Sequence, residues 1–550
     1  MSTDKKPGLF TSADGKSLAF TFILVSSLFL LWGFCNGMID VMDKHFQDQL
    51  HLSKAQSAWV QFAHYMGYAL MALPAGLLTR RFGYKGGIIF GLLLVAVGCF
   101  WFIPATHISK FWAFLLGVCA IAMGLTVLET VANPYTTVLG PKEFGPTRIN
   151  LAQSFNGVGW IFGPIIGGMY FYSEGGAEVA QGQLYIPYMG VGFVVLVIAL
   201  MFCFTNVPDV KTEDEYLTDD TSPAAATPIK AERRGVVSMM MLLNVAALGL
   251  SLYLVARTLL PNFGVAERTV DIYVSIAIAL AVMATLPMLR GVTKSITTHN
   301  IWAHAHFSAA TVAQFFYVAA QAGIFSFFIN TMTVDKKNGF CLVPSIPASW
   351  NDAMNNTAAS LKSVLGGIPL LNRFPNWLTG WFEAGSDGIF HISDRGAANL
   401  ASVAFVCFLL GRLIGAYLMK KSPAHKILGL FSVLNVGICA LVIANLGWIS
   451  VAGVFLSYFF MSIMFPTIFA LGIHGLGTQS KKKASAFIVM SITGGALMPK
   501  LMGHLGDVYN MAAGFWMPLV CFLLIASYAF MWPKLSQSEG VISLKTTGGH

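Results

Sequence analysis

The sequence predicts an all-α membrane protein: two six-helix bundles with an extra helix pair between them, about 14 spans in all. Three observations carry that prediction. The 550 residues are 56% hydrophobic and only 11% charged, whereas a soluble protein carries about 25% charged residues. Apolar runs recur along the whole chain. A weak internal repeat relates one half of the chain to the other. Glycine, commoner in membrane helices than in soluble ones, occurs 54 times.

A span needs about 20 mostly apolar residues. Runs of that kind lie at roughly 18–42, 55–78, 86–104, 111–138, 150–172, 185–206, 236–256, 269–289, 304–332, 397–419, 425–446, 450–473, 484–505 and 512–533. The first exceeds 20 residues, too long for a signal-peptide core, and no small-residue cleavage site follows it. It is therefore expected to be retained as a span.

The net charge of +9 does not point to nucleic acid, because the basic residues sit in short clusters between apolar runs: Arg80, Arg81 and Lys85; Lys420, Lys421 and Lys426; Lys481, Lys482 and Lys483. With the N-terminus inside and each run crossing once, 22 Lys and Arg fall inside and 10 outside. That bias places both termini in the cytoplasm. Losing either helix of the 236–289 pair alone would invert everything after it, so the pair enters or leaves the count together.

Seven of the eight cysteines lie in apolar runs and Cys341 has no partner in its loop, so no disulfide framework is expected. The expected units are a bundle over 1–206, a cytoplasmic linker over 207–235, the extra pair with its loop over 236–303, and a second bundle over 304–550. The linker combines an acidic patch with a Pro/Ala stretch and is expected to be flexible. The second bundle carries a long outside loop, 333–396, with weak apolar periodicity that leaves room for an interfacial helix.

The repeat pairs FNGVGWIFGPIIGG (155–168) with MSITGGALMPKLMG (490–503), matching Asn156 to Ser491, Gly159 to Gly494, Pro164 to Pro499 and Gly168 to Gly503. The basic turns LLTRRFGYKGG (77–87) and YLMKKSPAHKI (417–427) recur at nearly the same offset. Two homologous halves joined by a central linker is a transporter design.

Ionisable groups at membrane depth are expensive and mark function by default. Two acids qualify. Asp40 lies near the outer end of the first span with Asn36 one turn before it. Glu129 lies inside the fourth with Asn133 one turn after it. Spacing of four places each pair on one helix face. Gln153 and Asn156 share a face of the fifth span, and Gln314, Tyr317 and Gln321 form a stripe in the span at 304–332. Carboxylates, amides and an aromatic ring meeting near the bilayer midplane suit a sugar, whose hydroxyls need donors and acceptors and whose ring needs an aromatic surface. A carboxyl in a low-dielectric site favours its neutral form and can exchange protons near neutral pH, which gives a coupling device that needs no cofactor.

Structural readings stand beside these. Asp40 could be an interfacial acid that meets water, Glu129 could pair with Arg412, and the amides could be interhelical glue. Lys500 and Arg412 could snorkel or pair. His299, His304 and His306 invite a metal reading but sit at a span entry. No HExxH occurs, and the GKS at 15–17 has Phe10 where a phosphate loop needs glycine.

The turn GLLTRRFGYKGG (76–87) resembles the signature loop of the major facilitator superfamily at Gly76, Leu78, Arg81, Gly83 and Lys85, with Arg80 and Tyr84 departing from it. LWGFCNGMID (31–40), VLETVANPY (127–135), RINLAQSFN (148–156), AQFFYVAAQAGIFSFFI (313–329), FFMSIMFPTIFALGIHGLG (459–477) and FIVMSITGGALMP (487–499) resemble the L-fucose:proton symporter and glucose/galactose transporter family within it. The resemblance implies the major facilitator fold and a bacterial inner-membrane location. It implies import of a monosaccharide by proton symport, with Asp40 and Glu129 as the two essential acids and Gln153 and Asn156 as polar sugar-pocket positions. The family's 12 spans leave the 236–289 pair and the long loop without counterparts. The sugar is expected to lie midway, against the first, fourth, fifth and seventh core helices. Sugar, proton and membrane lipid are the expected partners, and the protein is expected to be a monomer. Sodium coupling and a non-transporting sugar sensor are the competing readings.

Overall fold

The structure is a computed structural model. It describes residues 17–49, 52–140, 145–171, 185–205, 304–335, 339–365, 379–384, 389–419, 421–474, 484–485 and 487–537, with a few isolated positions between them. The 207–235 linker and the 236–289 pair lie almost wholly outside the described residues, as does His299.

The first half contains α1 (Ala19–Gln49), α2 (Lys54–Ser57), α3 (Trp59–Ile108), α4 (Phe111–Val138), α5 (Gly145–Phe171) and α6 (Tyr185–Phe204). The second contains α7 (Ala305–Ser326), α8 (Phe328–Met332), α9 (Ala348–Leu365), α10 (Asp394–Met419), α11 (Ala424–Ile443), α12 (Trp448–Met461), α13 (Met464–Gly472), α14 (Gly494–Val508), α15 (Met511–Gly514) and α16 (Trp516–Gln537). A 3₁₀ turn, Ser491–Thr493, leads into α14.

The separate runs at 55–78 and 86–104 join without a loop. Helical residues continue to either side of Gly83, which takes φ 70° and ψ −176°. That region is open essentially to glycine alone, so Gly83 turns the chain back between two antiparallel spans. Two other spans break in mid-course: Phe327 separates α7 from α8, and Ser462 and Ile463 separate α12 from α13. Among the described residues nine helices are long and apolar enough to cross a membrane.

The loop after α8 adds a small β element to the helical bundles. It folds into α9 and a two-stranded antiparallel sheet, β1 (Phe382–Ala384) with β2 (Phe390–Ile392), in the register Phe382 to Ile392. The turn residues between span and sheet hid these three-residue strands. The face of the molecule bearing this loop is called the loop face below; the opposite one, bearing Arg81 and Lys421, is the basic face.

In each half, one close helix crossing fixes the geometry. α1 packs on α5, and α7 packs on the 3₁₀ turn and α14. A Cβ on Gly159 would stand 2.2 Å from the Leu30 carbonyl oxygen, and one on Gly494 2.0 Å from that of Phe315. These are the glycines that the repeat pairs, and they serve the same contact in both halves. Small residues let membrane helices approach this closely. Gly159→Leu is expected to force α1 and α5 apart. Overpacking costs about 1–3 kcal/mol where a core can yield, and backbone against backbone cannot. Size-exclusion chromatography of the solubilised variant should show aggregate or no protein, where Gly190→Leu, with open space at its Cβ, should run as the parent does.

The halves meet through α5 against α10 and α3 against α14. Apolar side chains point outward: α6 exposes Phe193, Val194, Val197, Leu200 and Phe204, and α10 exposes Leu410, Leu413, Ile414 and Tyr417. Polar side chains point inward: Asp40, Asp43, Glu129, Asn156, Gln314 and Arg412 are all buried. A wide apolar exterior around a polar interior is the arrangement a bilayer requires.

Candidate functional site

A cavity lies between the halves, partly open to solvent. Both halves line it. Trp32 and Asn36 come from α1, His64, Tyr65 and Tyr68 from α3, and Gln153, Asn156 and Trp160 from α5. Facing them are Tyr317, Val318 and Gln321 from α7, Phe408 and Arg412 from α10, Phe465 from α13 and Ile492.

Of the residues singled out from sequence, Asn36, Gln153, Asn156, Tyr317 and Gln321 face this cavity. Asn36 is buried with its Oδ1 lacking a partner. The Asn156 amide donates to the Phe29 carbonyl at 3.3 Å, and Tyr317 donates to the Met461 carbonyl at 3.2 Å. Gln314 is fully buried, and neither of its amide atoms has a hydrogen-bond partner; it does not line the cavity as its stripe predicts. Tyr317 and Gln321, at spacing four, form the face of α7 that meets the cavity.

The fourth core helix lines no part of the cavity, contrary to expectation. Its Glu129 and Asn133 stand one layer behind. Gln153 Nε2 donates to Asn133 Oδ1 at 3.0 Å, and Arg412 Nη1 donates to the Gln153 carbonyl at 2.8 Å. Arg412 Nε also reaches the Ser462 carbonyl at 3.2 Å, and its guanidinium lies over the Phe408 ring at 5.0 Å. A polar chain thus runs from Glu129 past Asn133 and Gln153 to Arg412 in the other half. Among the described residues no ion pair joins Glu129 to Arg412. Tyr68 and Asn133 are the polar neighbours of Glu129, whose two carboxylate oxygens make no hydrogen bond of normal geometry.

Asp40 is also absent from the lining. It lies towards the loop face, with the Gln61 amide donating to its Oδ1 at 2.8 Å. Asp40 is nine residues from the loop-face end of α1, and Glu129 nine from the basic-face end of α4. At 1.5 Å per residue each acid is roughly 14 Å from its own end, so the two sit on opposite sides of the cavity in depth.

The polar stripe of α3 is the part that sequence reasoning missed. Gln61, His64, Tyr65 and Tyr68 follow the spacing of one helix face, i, i+3, i+4, i+7, inside an otherwise apolar run. Trp32 Nε1 donates to the Tyr68 hydroxyl. His64 is buried with Nδ1 unpartnered. Trp160 stacks on Phe405 at 4.7 Å and meets Phe325 edge-on at 5.3 Å, presenting a fixed aromatic surface to the cavity. Lys500 covers the Trp59 ring at 4.0 Å. The His304 and His306 rings are 5.5 Å apart, with His306 Nε2 2.9 Å from the His474 carbonyl oxygen. Among the described residues no group of three possible ligands could hold a metal.

Two bundles related by a repeat, closed around a polar central cavity and jacketed in apolar side chains, define a multi-pass membrane transporter. The chain belongs to the Major Facilitator Superfamily, whose family model matches residues 21–373. It is 29% identical to the L-fucose-proton symporter of Escherichia coli K12 over 94% of each chain. It is 25% identical to a glucose/galactose transporter of Brucella abortus biovar 1, over 95% of this chain and 96% of that one. A crystal structure of the E. coli fucose:proton symporter superposes with a TM-score of 0.56 at 26% identity, over 94% of this chain and 99% of the other. The family and these relatives are transporters and not enzymes.

Proposed function

We propose that the protein imports a monosaccharide of the fucose, galactose or glucose class together with protons, by alternating access. The observation that carries this is the central cavity, lined from both halves by amides, tyrosines and the Trp160 surface, with a buried acid on either side of it in depth. The names of the relatives, a fucose-proton symporter and a glucose/galactose transporter, agree with it. Asn36, Gln153, Asn156, Tyr317 and Gln321 would hold the sugar. Asn133 would orient Gln153 from behind. Glu129 would carry the proton, with Asp40 as the second acid; Gln314 would act from the buried side of α7.

On this reading the excess of Lys and Arg puts the basic face on the cytoplasmic side, with both termini inside as expected from the sequence, and the loop face outside the bacterial inner membrane. Residues 1–206 and 304–550 are then the moving bundles of a monomer, joined through 207–303. Removing the Asn36 amide takes one partner from a sugar hydroxyl, which costs about 1–3 kcal/mol. Asn36→Ala should therefore raise the half-saturating sugar concentration about 5- to 150-fold with little change in maximal rate, as read from initial uptake rates.

The test of the reading is proton movement without an imposed gradient. Sugar added to de-energised, lightly buffered proteoliposomes should alkalinise the medium in proportion to the sugar taken up. Uptake with no pH change, but accelerated by sodium, would replace the proton with sodium.

A further inference from the structure

Asp43 is a fully buried carboxylic acid that the functional reading leaves without a task. It lies one turn from Asp40 on the same face of α1. The Gln61 amide nitrogen serves both, 2.8 Å from Asp40 Oδ1 and 3.5 Å from Asp43 Oδ2. Asp40 Oδ2 and Asp43 Oδ1 have no hydrogen-bond partner. Among the described residues one neutral amide therefore serves both acids, with the Ser326 hydroxyl beside Asp43.

Among the described residues, the groups packed around the pair supply no positive charge. From α3 come Gln61 and Tyr65, from α7 Ser326, and from α12 Tyr458. On α1 itself, Lys44 turns away to Asp48 at 3.3 Å and Asp394 at 3.8 Å, and His45 Nδ1 lies 2.9 Å from the Phe171 carbonyl oxygen. Lys54 is engaged by Asp335 and Asp507. Two carboxylates that share a site cannot both ionise, and a buried charge without a partner is not tolerated.

Ser326, the neighbour of Asp43, belongs to the second half. Directly beyond it the loop face is sealed, with Gln47 and Asn330 exchanging amide hydrogen bonds of 3.3 and 2.6 Å. Closing that seal buries the acids. Opening it gives them water.

We propose that Asp40 and Asp43 form a two-acid proton gate: the loop face closes over the pair only when the pair holds a proton. Asp43 makes the proton obligatory. Asp40 alone, with the Gln61 hydrogen bond, could be buried ionised, and the protein would then close and carry sugar without a proton. Asp43 is a positioning residue in this scheme and touches no sugar. The inference rests on the proton-symport reading.

The test is Asp43→Asn, which imitates the protonated acid in shape and charge. Wild-type and variant proteins are reconstituted and compared in three measurements: sugar counterflow at equal pH, uptake at external pH 6 against pH 8, and accumulation under a pH gradient of one unit. The wild type should take up sugar several-fold faster at pH 6 than at pH 8 and accumulate it. The variant should keep its thermal stability and counterflow, take up sugar at equal rates at the two pH values, and accumulate less than a third as much. A variant with wild-type pH dependence and accumulation would overturn the gate. So would one that loses folding and counterflow together, since an ionised structural Asp43 behaves that way. A wild type that fails to accumulate sugar would instead remove the proton-symport reading beneath it.

Discussion

Glu129→Gln is expected to abolish sugar accumulation while leaving exchange intact. Glu129 is buried 4% exposed behind Tyr68 and Asn133, with neither oxygen in a hydrogen bond of normal geometry and no cation paired to it among the described residues. A charge buried that way is unstable, so on the proposed reading the closed protein carries this acid with its proton. Gln keeps the neutral shape and cannot release a proton. One proton moving down one pH unit supplies about 1.4 kcal/mol, a tenfold gradient at most. The wild type should approach a tenfold concentration of sugar under such a gradient, and the variant should stay at equality. Sugar–sugar counterflow, which needs no net proton movement, should continue in the variant at a rate within a few-fold of wild type. Loss of both activities would assign Glu129 to the fold instead.

Lys54→Met is expected to open the loop face. Lys54 is the first residue of α2, held in place by a reciprocal cap in which Gln56 N–H donates to Ser53 Oγ and Ser53 N–H to Gln56 Oε1. From there its ammonium reaches Asp335 at 2.9 Å and Asp507 at 3.8 Å, both in the second half. The Asp507 carboxylate also accepts the backbone N–H groups of Lys54 and Ala55, at 3.2 and 3.0 Å. Side-chain exposures of 8%, 9% and 14% leave these charges little water. Breaking a buried pair from one side costs about 3–5 kcal/mol, which is a shift of roughly 150- to 4,000-fold in the closed-to-open ratio. Spin labels at the exposed positions Lys110 and Val508, on the two halves, should move to longer separations in the variant. An unchanged distance distribution would mean that the Gln47–Asn330 clasp and the apolar contacts suffice to hold the face shut.

The fold was largely legible because the bilayer imposes one period and one length on every span. Among the described residues most of the core runs appear as helices near their expected limits, although α1 continues to Gln49 and the runs at 55–78 and 86–104 join as α3. The repeat was legible as well, since Gly159 and Gly494 are dictated by backbone contact and nothing larger fits. The tertiary layer of each polar residue was not legible. Asn133 and Gln153 look alike in sequence, yet one stands behind the cavity and the other on its wall, because α4 packs outside α5. Arg412 read as a snorkelling or paired base. It is instead a wall of the cavity, donating to the Gln153 carbonyl in α5 and to the Ser462 carbonyl at the break between α12 and α13. In the sequence Asp43 lies beside Lys44, which does not tell a paired acid from an unpaired one. Adjacent residues on a helix point about 100° apart, and Lys44 turns to Asp48 and Asp394. The strands at 382–384 and 390–392 were too short to show a period.

The central claim is that sugar moves with protons through the cavity between Trp160 and Tyr317. Its most direct test is the steady-state level of labelled fucose, galactose and glucose in proteoliposomes under an imposed pH gradient, acid outside. The account predicts that at least one of these sugars is concentrated several-fold, that a protonophore returns it to equality, and that Glu129→Gln never leaves equality. A sugar that equilibrates at the same level with and without the gradient would contradict it.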